Sequence, residues 1–121
     1  MKIRIASAFA WIALIQPVLP WLGSPQALQL MRMVQEILTN VLKHAGATQM
    51  RISAHCCDQY IEVCIADNGL GFDVGATSTG RGLRHLAQRA ASLHGSVLVD
   101  SRPGSGTTVR LLLPVATPAL I

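Results

Sequence analysis

The sequence is poor in aromatic and charged residues, and each scarcity excludes a class of protein. Aromatic side chains make up 4% of the 121 residues and charged ones 13%, whereas hydrophobic residues make up 50%. Disordered chains are rich in charge and poor in hydrophobic residues, so the low charge and the high hydrophobic content predict a single packed globular domain. The ten lysines and arginines are scattered from Lys2 to Arg110 with almost no interleaved aromatics. This argues against a nucleic-acid surface, and the net charge of +4 fits a protein that binds a polyanionic small molecule.

Cysteine is also scarce, and its spacing argues against two common kinds of site. The three cysteines, Cys56, Cys57 and Cys64, are an odd number and form no C-x-x-C pair. Neither a zinc site nor a disulfide framework is therefore expected, and a reducing cytosol is the simplest location. We interpret Cys56 and Cys57 as incidental.

The apolar run near the N-terminus is too short to cross a membrane. Charged residues precede this run, which covers residues 5–15 and has the look of a secretory signal. With about eleven residues it cannot span a bilayer, and Gln16 and Pro17 follow it instead of a small-x-small cleavage site. The competing interpretation is an extended segment, Ile3-Arg-Ile, that leads through a loop into a helix. No membrane contact is expected from this segment.

A helix with two different faces is predicted over residues 25–44. Ser24 is placed to cap it, Pro25 to begin it, and Gly46 to take the left-handed position after its end. Apolar residues recur at intervals of three and four and predict a face for a core: Met31, Val34, Leu38, Val41, Leu42 and Ala45. The other side carries a polar row of Glu36, Asn40, Lys43 and His44. Such a row suits a metal ion and phosphates, but it equally suits a solvated helix face.

Two hairpins and a second helix follow the first helix. The hairpins are predicted from alternating strands at residues 50–55 and 60–67, then 96–101 and 107–114, with turns at 57–59 and 103–106. The second helix begins at Gly80-Arg-Gly-Leu, and Gly95 stands where its C-terminal cap belongs. Its apolar stripe is Leu83, Leu86, Ala87, Ala90 and Leu93. Residues 73–80 are small and polar and predict a mobile loop.

Asp67 stands out because of its position at the end of a strand. Parity places its side chain on the covered face with Ile61, Val63 and Ile65, where an acid needs a partner. Gly69 and Gly71 follow it and permit a tight turn and a close approach to a ligand.

The order β-α-β-β-α-β-β predicts an α+β fold in which two main helices cover one face of a single sheet. Residues 25–115 are expected to form the domain. A strand and loop over residues 1–24 precede it, and residues 116–121 form a tail.

Four motifs occur in the order found in a known family. They are Glu36-x-x-x-Asn40-x-x-Lys43-His44, Asp67-x-Gly69-x-Gly71, Gly80-x-Gly82-Leu83 and Gly106-Thr107. Together they resemble the ATP-binding catalytic domain of bacterial two-component sensor histidine kinases, nearest to the nitrate- and degradation-sensor subfamily. The wider superfamily includes gyrase, the heat-shock chaperone and mismatch-repair ATPases. The resemblance implies a two-layer α/β sandwich of the Bergerat type with a mixed sheet.

The resemblance implies ATP and Mg²⁺ as ligands. Asn40 is expected to coordinate Mg²⁺, and Glu36 to order the metal or its water and to serve provisionally as a catalytic residue. Lys43 and His44 would face the phosphates, and Asp67 would accept a hydrogen bond from the adenine amino group. The remaining implied nucleotide contacts are Gly69, Gly71, Gly80, Arg81, Gly82, Leu83 and Thr107.

The implied reaction transfers the γ-phosphoryl group of ATP to a histidine on a dimerisation helix, for relay to a response regulator. The segment before Leu28 contains no histidine, so the chain is expected to be an excised catalytic domain that cannot phosphorylate itself. The complete kinase is expected to be a cytoplasmic homodimer, with an inner-membrane anchor as one option. The alternatives are a related ATP hydrolase, an anti-sigma-type serine kinase, or a nucleotide-binding module without catalysis.

Some of these residues also have plainer interpretations. His44 could simply cap the C-terminal end of its helix, and Arg81 and Arg84 could contact phosphates or only be solvated. His85 and His94 are predicted to be surface residues.

Overall fold

The computed structural model describes residues 2–4, 20, 22–41, 46–71 and 80–115. The elements follow the predicted order β-α-β-β-α-β-β. They are β1 (Lys2–Arg4), α1 (Ser24–Asn40), β2 (Gln49–Cys57), β3 (Tyr60–Asp67), α2 (Gly80–Ser92), β4 (Ser96–Ser101) and β5 (Thr107–Pro114). Lys43, His44, the greater part of the predicted loop and the predicted tail lie outside the described residues.

The five strands form one sheet in the order β1-β2-β3-β5-β4, with every pairing between neighbours antiparallel. The expectation of a mixed sheet was therefore wrong for the strands described. Short turns join β2 to β3 and β4 to β5, which makes each of these pairs antiparallel. The connection through α2 does bring β4 parallel to β3, but β5 lies between them, so no parallel neighbours arise.

The core lies between the two helices and one face of the sheet. The alternation predicted for β3 is confirmed, because Ile61, Val63 and Ile65 are buried. The helices contribute Leu30, Met33, Val34, Ile37, Leu38, Leu86 and Ala90. Each large side chain of this kind stabilises the fold by about 1.5–3 kcal/mol when fully buried. Ala87, predicted in the apolar stripe of α2, is exposed.

Helix α1 begins one residue earlier than predicted. Ser24 is already helical, so the cap is Gly23, which has extended backbone and makes no side-chain cap. The Gly23 carbonyl accepts the first helical hydrogen bond from Ala27 N–H at 2.9 Å. The expected cap at Ser24 was wrong, while Pro25 does lie in the first turn, where its missing N–H is tolerated. Gly46 has the predicted left-handed conformation, with a φ of 59°.

Helix α2 ends at a left-handed histidine instead of the predicted Gly95. His94 has a φ of 61° and its N–H donates to the Ala91 carbonyl at 3.0 Å. Gly95 N–H donates to the Ala90 carbonyl at 2.7 Å, which completes a Schellman motif with His94 at its left-handed position. Gly95 is needed for a different reason. A Cβ there would overlap the Leu112 carbonyl of β5.

The second hairpin has the predicted bounds, whereas the first is longer than predicted. Strand β2 continues through Cys57, so its turn has two residues, Asp58 and Gln59. Asp58 adopts a φ of 50°, a conformation that Asp tolerates better than most residues. Neither helix, over its described residues, is both long and apolar enough to cross a membrane.

Candidate nucleotide site at the end of the sheet

The covered face of the sheet changes from apolar to polar in its last row. In the preceding row, Ile65 pairs with Ile52 and Val109. In the last row, Asp67 pairs with Met50 on one side and Thr107 on the other, and Thr107 pairs with Ser101. Three neighbouring strands therefore place a carboxylate and two hydroxyls beside each other at the edge of the core. This row is the candidate site.

The two oxygens of the Asp67 carboxylate have different surroundings. Oδ1 accepts a hydrogen bond from the Gly69 N–H at 2.8 Å, so it holds the turn that follows β3. Across the described ranges, Oδ2 has no hydrogen-bond partner. The side chain is half-buried at the end of its strand. The sequence predicted that this acid needs a hydrogen-bond partner. Gly69 N–H is the partner of one oxygen, and the other oxygen can still accept a hydrogen bond.

Ser101 and Thr107 share a hydrogen bond across β4 and β5. Their hydroxyl oxygens are 2.7 Å apart, and Ser101 also reaches the Gly106 carbonyl at 3.1 Å. Ser101 is buried, whereas Thr107 is half-buried. Sequence reasoning singled out Thr107 but missed Ser101. Alternation along β4 would have placed Ser101 on the covered face with Val97 and Val99.

Two glycines bring the turn after β3 against the β4–β5 turn. Gly71 has a φ of 65°, and a Cβ on it would overlap the Arg102 carbonyl. Gly106 has a φ of 75°, and a Cβ on it would overlap the Asp67 carbonyl. Within the fold, Gly71 thus serves the contact between two loops. Its predicted approach to a ligand is a separate role that stays a prediction.

Asn68 is a second residue that sequence reasoning missed. Its side-chain oxygen accepts hydrogen bonds from Thr48 N–H and Gln49 N–H, both at 2.9 Å, and its Nδ2 donates to Thr48 Oγ1 at 2.9 Å. Asn68 therefore fastens the segment after α1 to the turn that carries Asp67. The Asp-Asn-Gly sequence signals a turn, but the partners at residues 48 and 49 depend on the pairing of β2 with β3.

The polar row of α1 is described for two of its four predicted members. Asn40 is exposed at the last helical position, one turn after Glu36. Glu36 Oε2 accepts a hydrogen bond from Arg89 Nη1 of α2 at 2.7 Å. Its Oε1 has no hydrogen-bond partner among the residues described. The pair ties the two helices together, and Arg89 gave no signal in the sequence because only the packing of α2 beside α1 brings it there.

The oxygen donors of α1 fit a Mg²⁺ ion that is held mainly by the phosphates of a bound molecule and by water. No three His, Cys, Asp or Glu side chains in the described part of the chain gather into a metal site. Mg²⁺ is commonly held by one or two protein oxygens together with phosphates and water. Asn40 and the open oxygen of Glu36 are such donors.

The N-terminus of α2 contains Gly80, Arg81, Gly82 and Leu83. The first turn contains no acidic residue, so nothing in it neutralises the positive end of the helix dipole. His85 and His94 are exposed, as predicted for surface residues, and Arg84 is exposed as well.

Residues 26–117 match a family described as Histidine kinase-, DNA gyrase B-, and HSP90-like ATPase. The chain is 36% identical over 101 residues to an uncharacterized sensor-like histidine kinase of Chloroflexus aurantiacus, a match covering 78% of this chain and 17% of that protein. It is 35% identical over 89 residues to the signal transduction histidine-protein kinase/phosphatase DegS of Brevibacillus brevis, covering 73% and 23%. The ATP binding domain of PrrB from Mycobacterium tuberculosis has a similar structure, with a TM-score of 0.63, 29% identity, and coverage of 75% of this chain and 70% of that one. The chain spans about a fifth of the length of these two curated relatives.

Proposed function

The chain belongs to the histidine kinase-, DNA gyrase B- and HSP90-like ATPase family, and from that premise we propose that it binds Mg·ATP and donates the γ-phosphoryl group to a histidine. The acceptor histidine lies on a helical dimerisation domain of the same kinase. A response regulator then takes the phosphoryl group from it. The complete kinase acts as a homodimer, and this domain works in the cytoplasm, where ATP is available. The sensor histidine kinases among its relatives support the proposal.

One observation carries the proposal, which is the half-satisfied carboxylate of Asp67. Oδ1 is fixed by the Gly69 N–H at 2.8 Å, so the orientation of the whole carboxylate is set before a ligand arrives. Oδ2 can then accept a hydrogen bond from the adenine amino group. Thr107 lies directly opposite Asp67 on β5 and faces the same edge of the base, while Gly69 and Gly71 let the base approach the backbone.

The phosphates lie between the polar row of α1 and the N-terminus of α2. Asn40 would coordinate Mg²⁺, and the open oxygen of Glu36 would order the metal or its water. Mg²⁺ supplies neutralisation of the charge on the phosphates when bound. Lys43 and His44, which lie outside the described residues, are assigned to the same phosphates from the sequence motif alone. Gly80, Arg81, Gly82 and Leu83 present N–H groups at the positive end of α2.

The transfer itself depends mainly on positioning and charge. A ring nitrogen of the acceptor histidine attacks the γ-phosphorus, the bond to the bridging oxygen breaks, and ADP leaves with that oxygen. The proton lost by the histidine passes to a carboxylate, for which Glu36 is our candidate. Arg89 keeps one oxygen of Glu36 occupied at 2.7 Å, so only the other oxygen can take the proton, and it does so through the water that it orders.

Asp67→Asn tests the adenine contact. The amide of Asn can place an N–H where the carboxylate accepted, so ATP affinity should fall by roughly 10- to 150-fold, the value of a charge-assisted hydrogen bond. GTP affinity should change little, because guanine carries an oxygen at the same position. Titration calorimetry with both nucleotides measures the two changes.

Asp100→Asn is the matched control. Asp100 is exposed and belongs to the opposite face of the sheet, opposite Thr108, so the same chemical change there should leave both affinities unchanged. An equal loss of ATP and GTP affinity in Asp67→Asn would contradict the assignment.

A further inference from the structure

The buried hydroxyl of Ser101 has no role in the function proposed above. Ser101 is 7% exposed and lies at the end of β4, with β5 between it and the strand that carries Asp67. Its oxygen is 2.7 Å from Thr107 Oγ1 and 3.1 Å from the Gly106 carbonyl oxygen. The contact with the Gly106 carbonyl sets the direction in which Thr107 points its proton.

A hydroxyl has one proton to donate and two lone pairs with which to accept. The Gly106 carbonyl can only accept, so in this contact Ser101 is the donor. With its proton given to Gly106, Ser101 must accept in its contact with Thr107. Thr107 is therefore the donor. The reverse arrangement would leave two acceptor oxygens, those of Ser101 and Gly106, facing each other at 3.1 Å without a proton.

The Gly106 carbonyl is held by the turn that contains it. Ser105 N–H donates to the Arg102 carbonyl at 3.0 Å, and Gly104 N–H donates to the Leu70 carbonyl. Gly106 itself has a φ of 75° and packs on the Asp67 backbone with no room for a Cβ. The chain of hydrogen bonds from Gly106 through Ser101 to Thr107 thus begins at a fixed acceptor.

We propose that Ser101 is a specificity-determining residue that locks the Thr107 hydroxyl as an acceptor toward the nucleotide base. Thr107 and Asp67 are direct cross-strand neighbours, whose Cβ atoms are typically about 4.5–5.5 Å apart. The row then presents a carboxylate oxygen and hydroxyl lone pairs, and no proton, to the 6-position of a purine. An amino group is accepted there, and a 6-oxo group meets only acceptors. The inference rests on the proposed function, because it concerns the same base site.

Ser101→Ala tests this lock through the ratio of two affinities. The ligands are ATP and inosine triphosphate, which carries an oxygen in place of the 6-amino group. Without Ser101 the Thr107 hydroxyl can rotate and donate to that oxygen. The preference for ATP should therefore fall by about three- to tenfold, the value of one hydrogen bond. Because both affinities are measured on one variant by titration calorimetry, any loss of folded protein cancels in the ratio.

Two further variants separate this role from a structural one. Ser105→Ala removes an exposed hydroxyl from the neighbouring turn and should leave the ratio unchanged. In Thr107→Val the hydroxyl that Ser101 orients is gone, so adding Ser101→Ala should cause no further change. If Ser101→Ala does not fold, Ser101→Cys replaces the hydroxyl with a weak donor and acceptor of similar shape and should also lower the ratio.

The outcomes distinguish the two proposals. If the unmodified protein prefers ATP and Ser101→Ala or Ser101→Cys keeps the full preference, the role of Ser101 is overturned and ATP binding stands. A further fall when Ser101→Ala is added to Thr107→Val would likewise overturn it. If the unmodified protein binds neither nucleotide, the proposed function itself fails.

Discussion

Asp67 is a residue on which both the fold and the proposed function depend. One of its oxygens fixes the turn through the Gly69 N–H at 2.8 Å, and the proposed function uses the other. A carboxylate that is already oriented loses less conformational freedom on binding than a mobile one. The arrangement depends on Asn68 beside it, which holds the turn to residues 48 and 49 through three hydrogen bonds at 2.9 Å.

His94 carries the clearest backbone strain among the described residues. It occupies the left-handed position after α2 with a φ of 61°, where a side chain with a Cβ is disfavoured by about 1–2 kcal/mol. Its side chain is exposed, so little packing is lost when it is removed.

His94→Gly should therefore stabilise the protein. Relief of strain outweighs the added freedom of glycine in the unfolded chain, and the free energy of unfolding should rise by about 0.5–1 kcal/mol. Urea denaturation measures the change. His85→Gly is the control, because His85 is exposed within α2 and glycine there should lower stability by up to about 1 kcal/mol. A loss of stability in both variants would refute the strain at His94.

The two helices are joined across their surfaces by the pair of Glu36 and Arg89. The contact is short, 2.7 Å, but the side chains are 31% and 45% exposed. Water therefore screens the pair, and its contribution to stability is small. The pair matters more for position, because it fixes the Glu36 carboxylate. In the proposed function this carboxylate orders the metal or its water and takes the proton of the acceptor histidine.

A double-mutant cycle with Glu36→Gln and Arg89→Gln should give a coupling of about 0.5–1 kcal/mol in urea denaturation. The coupling should shrink when salt is raised, since part of it is a partly exposed charge interaction. Arg84→Gln is the control, because Arg84 lies on the same helix and is exposed. If Arg84 coupled to Glu36 as strongly as Arg89 does, the coupling would come from a general charge effect and not from a specific pair.

The elements themselves could be predicted from local sequence because their causes are local. The alternation of Ile61, Val63 and Ile65 specifies a half-buried strand, and Pro103-Gly-Ser-Gly specifies a turn. The errors at Ser24 and Gly95 arose where several residues compete for a cap. Gly95 is needed one residue after the left-handed position, where β5 leaves no room for a Cβ. His94 therefore takes the left-handed position.

The candidate site could be predicted only where a motif or strand parity marks it. Asp67 and Thr107 were singled out in this way, and the register places them opposite each other. Ser101 was within reach of the same parity argument. The partner of Glu36 could not be predicted, because it lies 53 residues away on another helix and no local pattern encodes how two helices pack.

The fold places its apolar core and its candidate site at different positions on the covered face of the sheet. The core occupies the middle of the covered face. The groups proposed to hold the nucleotide lie in the last row of the sheet, at the end of α1 and at the N-terminus of α2. The fold is that of a histidine kinase-type ATPase domain. The chain spans only about a fifth of its first curated relatives, which is why the acceptor is sought on another module.

The most direct test follows the label from γ-labelled ATP. The domain is incubated with Mg²⁺, labelled ATP and a helical dimerisation module of a related sensor kinase, and the phosphorylated residue is identified. We expect acid-labile label on a histidine of the module. Asn40→Ala should abolish this label and the control Asp100→Asn should retain it. Label released as free phosphate while the module stays unlabelled, or label on a serine, would contradict the proposed transfer to histidine.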